Sequence, residues 1–245
     1  MIKVAAVNFL NVLPLIYGFE KGMLKDKMTL EFDYPSILGR KFLHGNYDIA
    51  LISIANLIKA PKQPFIQDIG IASNDRVASV AIFSEVPIQE IKAIYLDNRS
   101  ETSNLLAKIL VKEYWKLNIQ FLNSSDLNFK PKEAHTAVLM IGDRALQAYQ
   151  EYFYRYDLSY YWKMLTGLPF VYAAWFYQTN LDKDFLAEFT QATKYGLNFI
   201  EEIVHKTPCS FYNLMTYFES NLVFNLTEKH LNAIELFIEK GKKYV

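Results

Sequence analysis

One cysteine in 245 residues excludes an internal disulfide, and with only four scattered histidines it leaves no Cys/His spacing for zinc. Glycine is sparse: its nine residues form no phosphate-cradling loop, dinucleotide fingerprint or nucleophile elbow. An excess of one charge is missing too. The 26 Lys and Arg balance 26 Asp and Glu, so no overall field draws in nucleic acid or an anionic membrane. A small anion would need a local pocket. No apolar run approaches the roughly 20 residues of a membrane span. No basic stretch with a long apolar run marks a secretory signal, so a cytoplasmic location is expected. His44, His135, His205 and His230 form no cluster, and a histidine-based mechanism is not supported.

What the chain does have is apolar residues in α/β order. With 51% hydrophobic and 21% charged residues it reads as a folded globular protein of two modest lobes or one large domain. Val4–Val7 is a short strand, and Pro14 suits the first turn of the helix that follows. Thr29–Tyr34 reads as a strand, Ser36 as a helix N-cap and Gly45 as the left-handed close of that helix. Asp48–Ile52 is an apolar strand of the buried parallel type, ending at Ser53 as the cap of a helix over 54–59. Residues 61–75 read as a connection with an apolar centre. Val77–Phe83, Ala93–Leu96, Ala137–Ile141 and Phe170–Phe176 read as further strands, and the remainder as helices of period near 3.6. The expected division is residues 1–86 with 173–245 in one lobe and 87–172 in the other, each on a mainly parallel sheet.

Hydroxyl-rich strand ends are the most informative candidates. Ser53 follows one strand, Ser79 lies in another, and Ser100-Glu101-Thr102-Ser103 opens a helix. Ligands of open α/β sheets bind beyond the carboxyl ends of strands, where helix N-termini offer free amides to a carboxylate. The same residues can equally be simple caps. Gly142-Asp143-Arg144 at a strand end can approach a ligand or form a structural turn with an ion pair. The aromatic run Tyr149–Trp162 can wall a cleft or fill a core.

Six segments occur in a telling order: Asn8-Phe9-Leu10-Asn11-Val12-Leu13-Pro14-Leu15, Asp48 to Ser53, Val77-Ala78-Ser79-Val80, Ser100 to Ser103, Ile141 to Leu146 and Trp162 to Val171. Together they resemble the chorismate dehydratases, the MqnA family of the futalosine route to menaquinone, over about residues 4–176. The resemblance implies a type II periplasmic-binding-protein-like fold with two lobes around a central cleft. It also implies removal of water from chorismate to give 3-[(1-carboxyvinyl)oxy]benzoate, with no metal or organic cofactor. Asn11 and Ser79 match the family's catalytic pocket. Ser53, Ser100, Thr102, Ser103 and Asp143 are expected to bind substrate. Two departures stand out. Asn74-Asp75-Arg76 replaces a Gly-Pro turn, with Ala78 where arginine is common, so Arg76 is expected to stand in for that arginine. Glu101 replaces a basic or neutral residue.

The chemistry asks for donors around a carboxylate as charge develops, and for lobes that exclude water. The base stays open between Asp143 and the substrate's own enolpyruvyl carboxylate. Two rival readings are 1,4-dihydroxy-6-naphthoate synthase, which should carry a histidine after Ile141 where this chain has Gly142-Asp143, and a non-catalytic small-carboxylate sensor. A small molecule is the expected partner, without nucleic acid or membrane, and a homodimer is permitted.

Overall fold

The computed structural model describes residues 1–124 and 134–245. Its described strands are β1 (Ile2–Ala6), β2 (Met28–Phe32), β3 (Ile49–Ser53), β4 (Phe65–Ser73), β5 (Val80–Ser84), β6 (Ala93–Asp97), β7 (Gln120–Ser124), β8 (Thr136–Ile141), β9 (Tyr154–Asp157), β10 (Phe170–Tyr177) and β11 (Val223–Asn225). The helices are α1 (Leu13–Glu20), α2 (Pro35–Leu43), α3 (Asn56–Lys59), α4 (Glu101–Ile109), α5 (Gly142–Gln147), α6 (Leu158–Thr166), α7 (Lys183–Tyr195), α8 (Ile200–Lys206), α9 (Leu214–Thr216) and α10 (Glu228–Gly241).

Two sheets result, ordered β11-β4-β10-β3-β1-β2 and β7-β6-β8-β5-β9. β1 pairs in parallel with β2 and β3, and β6 in parallel with β7 and β8. The sheets are nevertheless mixed. β10 runs antiparallel between β3 and β4, and β5 antiparallel between β8 and β9. The nine-residue β4 occupies what reads locally as a connection, because its partners β10 and β11 lie over 90 residues downstream in the chain.

Sheet membership also moves the expected division. Val80–Ser84, expected in the first lobe, pairs with β8 and β9 of the second sheet. Phe170–Tyr172, expected in the second, opens a strand of the first. The chain therefore crosses between sheets over residues 74–79, earlier than the 86/87 boundary. Those residues make a tight turn. Ala78 has φ +60 and the Ser79 amide donates to the Val77 carbonyl at 2.7 Å, an i to i+2 bond of the rare, strained γ type. Asp157, buried at the N-cap of α6, accepts from the Ala78 amide at 2.7 Å and from Tyr160 at 3.1 Å, bracing both turn and helix.

Side-chain caps start five of the ten helices named above. Ser100 caps α4 by accepting from the Ser103 amide, and Thr227 forms a reciprocal box with His230 at the start of α10. α2 instead starts at Pro35 with Tyr34 as N-cap, so Ser36 sits inside the helix; Gly45, at φ +75, follows its end as expected. α3 starts at Asn56 behind Ala55, without the expected Ser53 cap. The Trp162–Val171 segment is structural. Trp162 is buried, donates to the Pro169 carbonyl at 2.9 Å and meets Phe170 edge to face, while Gly167 at φ +74 ends α6. The aromatic run over 149–162 is divided: Tyr156 and Tyr161 both lie against Trp115 and Trp162 is buried, whereas Phe153 is exposed.

Candidate active site

The strand ends of the two sheets face each other, and the residues there come from far apart in sequence. Asn11 sits in a 3-10 turn between β1 and α1, Ser53 ends β3, Ser79 closes the crossing turn, and Ser100 and Ser103 form the first turn of α4. All five line one cavity of about 80 Å³, together with Phe9, Ile141, Gly142 and Tyr172. Gly142, at φ +61, donates its amide to the Ser79 carbonyl at 2.7 Å, so the end of β8 is tied directly to the crossing turn. A side chain here would be strained at that φ, while its Cβ would only touch the Phe9 ring at an ordinary 3.5 Å.

The hydroxyls divide into two uses. Thr102, buried on α4, hydrogen-bonds Ser53 and accepts from the Ala55 amide at 3.1 Å, so it clasps the first sheet's strand end to the second sheet's helix. This bond explains why Ser53 does not cap α3. Ser100 donates to Ser103 at 2.9 Å and accepts its amide, so these two are caps and cavity walls at once. Ser79 is 1% exposed and the Asn11 amide oxygen is buried with no hydrogen-bond partner. Tyr172 is held by Ser159 at 2.7 Å.

Charged groups stand outside the cavity lining. Asp143, at the start of α5, accepts from the Leu10 amide at 3.1 Å across the cleft. Burial raises its pKa, against the pull of the Leu10 amide and of Arg99. Arg99 grips Asp97 through Nε at 2.8 Å and Nη2 at 2.5 Å, and that pairing raises its pKa further. Arg76 does not replace the family arginine in the cavity. Its turn faces outward, and its guanidinium lies 4.2 Å from the Tyr160 ring centroid, a cation–π contact. Glu101 points away as well, bonded to Lys59 of α3 at 2.7 and 2.8 Å, so its negative charge is met by a cation at the surface.

Next to the cavity, sharing Pro35 and Ser53 with it, lies a second cavity of about 340 Å³ lined by Arg40, His44, Lys59, Arg99 and Glu101, in which Lys59 is paired with Glu101 and Arg99 with Asp97. Phe9 and Tyr172 lie within segments quoted above, yet nothing in the pattern distinguishes them from core residues. Arg99 offered no signal beyond its neighbour Ser100. Among the described residues no group of His, Cys, Asp and Glu is arranged to hold a metal ion, and no helix is long and apolar enough to cross a membrane.

A family profile described as menaquinone biosynthesis matches residues 2–243. A chorismate dehydratase of Campylobacter jejuni is 25% identical over 244 residues, covering 96% of each chain. One from Thermus thermophilus is 28% identical over 189 residues, covering 69% of each. A solved Candida albicans protein, described as exhibiting the generic periplasmic binding protein fold, superposes with TM-score 0.63 at 12% identity, covering 99% of this chain and 89% of that one. The two-sheet architecture is accordingly periplasmic-binding-protein-like.

Proposed function

Since this chain belongs to the menaquinone biosynthesis family, we propose that it is a chorismate dehydratase, converting chorismate to 3-[(1-carboxyvinyl)oxy]benzoate and water. The observation that carries this reading is one cavity lined by Asn11, Ser53, Ser79, Ser100 and Ser103, with no Lys, Arg, His, Asp or Glu among its lining residues. Such a lining offers donors without a base.

The reaction removes the proton at C3 and the hydroxyl at C4, and the ring becomes aromatic. Negative charge developing at C3 spreads through the ring double bond toward the C1 carboxylate. Ser100, Ser103 and the free amides at the start of α4 hold that carboxylate, where their dipoles stabilise the growing charge. Asn11 and Ser79 orient the enolpyruvyl carboxylate over C3. That carboxylate takes the C3 proton, C4–O breaks, and the departing hydroxide with this proton makes the water. Asp143 is occupied with the Leu10 amide and stands off the cavity lining, which favours the substrate's carboxylate over it as base. The route calls on no cofactor. At about 80 Å³ the cavity is smaller than the roughly 300 Å³ of the smallest usual ligand pockets, so the lobes part to admit substrate.

Incubating the purified protein with chorismate and following the product by absorbance and mass is the test. A new aromatic product 18 mass units lighter is expected. Chorismate binding without turnover would make the protein a sensor on the same scaffold and end the dehydratase reading.

A further inference from the structure

The two residues assigned to the enolpyruvyl carboxylate stand on different pieces of chain, Asn11 after β1 and Ser79 in the crossing between the sheets. One short stretch holds the backbone at or beside both. β8 pairs with β5 up to Ile141 and Val80, and the Gly142 amide extends that ladder by one rung, donating to the Ser79 carbonyl at 2.7 Å. At the next residue the Asp143 carboxylate crosses the cleft and accepts from the Leu10 amide at 3.1 Å. Leu10 opens the 3-10 turn Leu10–Val12, which carries Asn11.

A helical turn begins with amides that nothing inside it can satisfy, and a Ser, Thr, Asp or Asn just before it is the usual remedy. The residue in that place is Phe9, which makes no side-chain cap. Asp143 therefore supplies, from the other sheet, the acceptor that the local sequence omits. The turn's own bond, from the Val12 amide to the Phe9 carbonyl at 3.0 Å, sets its shape. The bond to Asp143 ties the turn to the residue next to the one that holds Ser79. We infer that Asp143 is a positioning residue: through the Leu10 amide it places Asn11 at the distance from Ser79 at which both grip one carboxylate of the substrate. The inference rests on the dehydratase reading for the identity of that carboxylate. Because the Leu10 bond spans the cleft, closure of the lobes and alignment of Asn11 are one event. The role needs an acceptor and no negative charge, and Asp143 itself stands off the cavity lining.

A double-mutant cycle with chorismate tests this. Asp143→Ala removes the acceptor, and kcat is expected to fall at least about 20-fold with KM within about 3-fold of wild type. Asp143→Asn keeps an acceptor and should stay within about 10-fold of wild type. In the Asn11→Ala background, Asp143→Ala should cost less than about 3-fold more, because the group it positions is gone. Losses that multiply would show Asp143 acting independently of Asn11 and overturn the proposal, as would a near-normal Asp143→Ala. Should Asp143→Ala fail to fold, Asp143→Ser, too short to reach the amide, takes its place in the cycle. If wild type leaves chorismate unchanged, the dehydratase reading fails, and amide NMR spectra of the isotope-labelled, ligand-free protein decide the positioning role separately. There Asp143→Ala should shift the Leu10 amide and move the Asn11 side-chain amide signals toward those of free asparagine, while Asp143→Asn leaves both near wild type. Asn11 signals unchanged by Asp143→Ala would overturn it.

Discussion

Asn11 and Ser79 differ from the other hydroxyl and amide candidates in having little structural work. Thr102 is committed to Ser53 and Ala55, and Ser100 and Ser103 to capping α4, whereas the Asn11 amide oxygen has no protein partner. The amide nitrogen of Asn11 and the hydroxyl of Ser79 are the donors proposed to meet the enolpyruvyl carboxylate. Asn11→Ala and Ser79→Ala are therefore expected to lower kcat about 100-fold, the scale of losing one preorganised donor, with KM changed by less than about 3-fold. Asp143→Asn keeps an acceptor for the Leu10 amide and should cost less than about 10-fold. Steady-state kinetics on the three variants checks the ranking, and an inactive Asp143→Asn beside a near-normal Asn11→Ala would make Asp143 the base. The types of these residues and their motifs were legible in the sequence. Their division into caps, clasps and free donors was not, because it depends on which hydroxyl of another segment each one meets.

At the scale of elements, the crossing turn and α6 depend on one carboxylate. Asp157 accepts the amides of Ala78 and Tyr160 while almost entirely buried, and desolvation outweighs those bonds, pushing its pKa from 3.8 up to about 6. A carboxyl whose pKa rises on folding favours the fold while protonated. Its contribution is complete below about pH 4 and is lost as pH rises through 6. At about 1.4 kcal/mol per pH unit the loss is of order 3 kcal/mol. Asp157→Asn keeps one acceptor and does not titrate, so the melting temperature of wild type relative to this variant should fall between pH 4 and pH 7. A flat difference would show that Asp157 titrates normally. Nothing in the sequence marks this residue, since Asp157 precedes an ordinary capped helix and its partner Ala78 lies 79 positions away.

Across the whole molecule, contacts between the two sheets concentrate around the cavity. Ser53 meets Thr102, Leu10 meets Asp143, and Lys59 meets Glu101 at the rim. The C-terminal helix adds a strap behind them: α10 packs on α4, with Gly241 close against Leu105, and Lys240 bonds Glu113 at 2.6 Å. Thr102→Val keeps the shape at the clasp but removes its hydrogen bonds. Small-angle scattering should then show a larger radius of gyration for the free variant, and chorismate should bind more weakly by about 1–3 kcal/mol. An unchanged radius and affinity would mean that the strap alone holds the lobes together.

By itself the sequence determined the α/β class and the family, because strand and helix periods, caps and motif order are local properties of the chain. It misplaced the lobe boundaries, read β4 as a connection and called the sheets mainly parallel. Those features depend on strand partners from distant positions, as β4 takes β10 and β11 and β5 takes β8 and β9. The tertiary structure alone turned Arg76 outward onto Tyr160, paired Glu101 with Lys59 and clasped Thr102 of α4 onto Ser53. The physical reason is the same in each case: a side chain's surroundings are set by packing between segments, and no local pattern encodes which segments those will be.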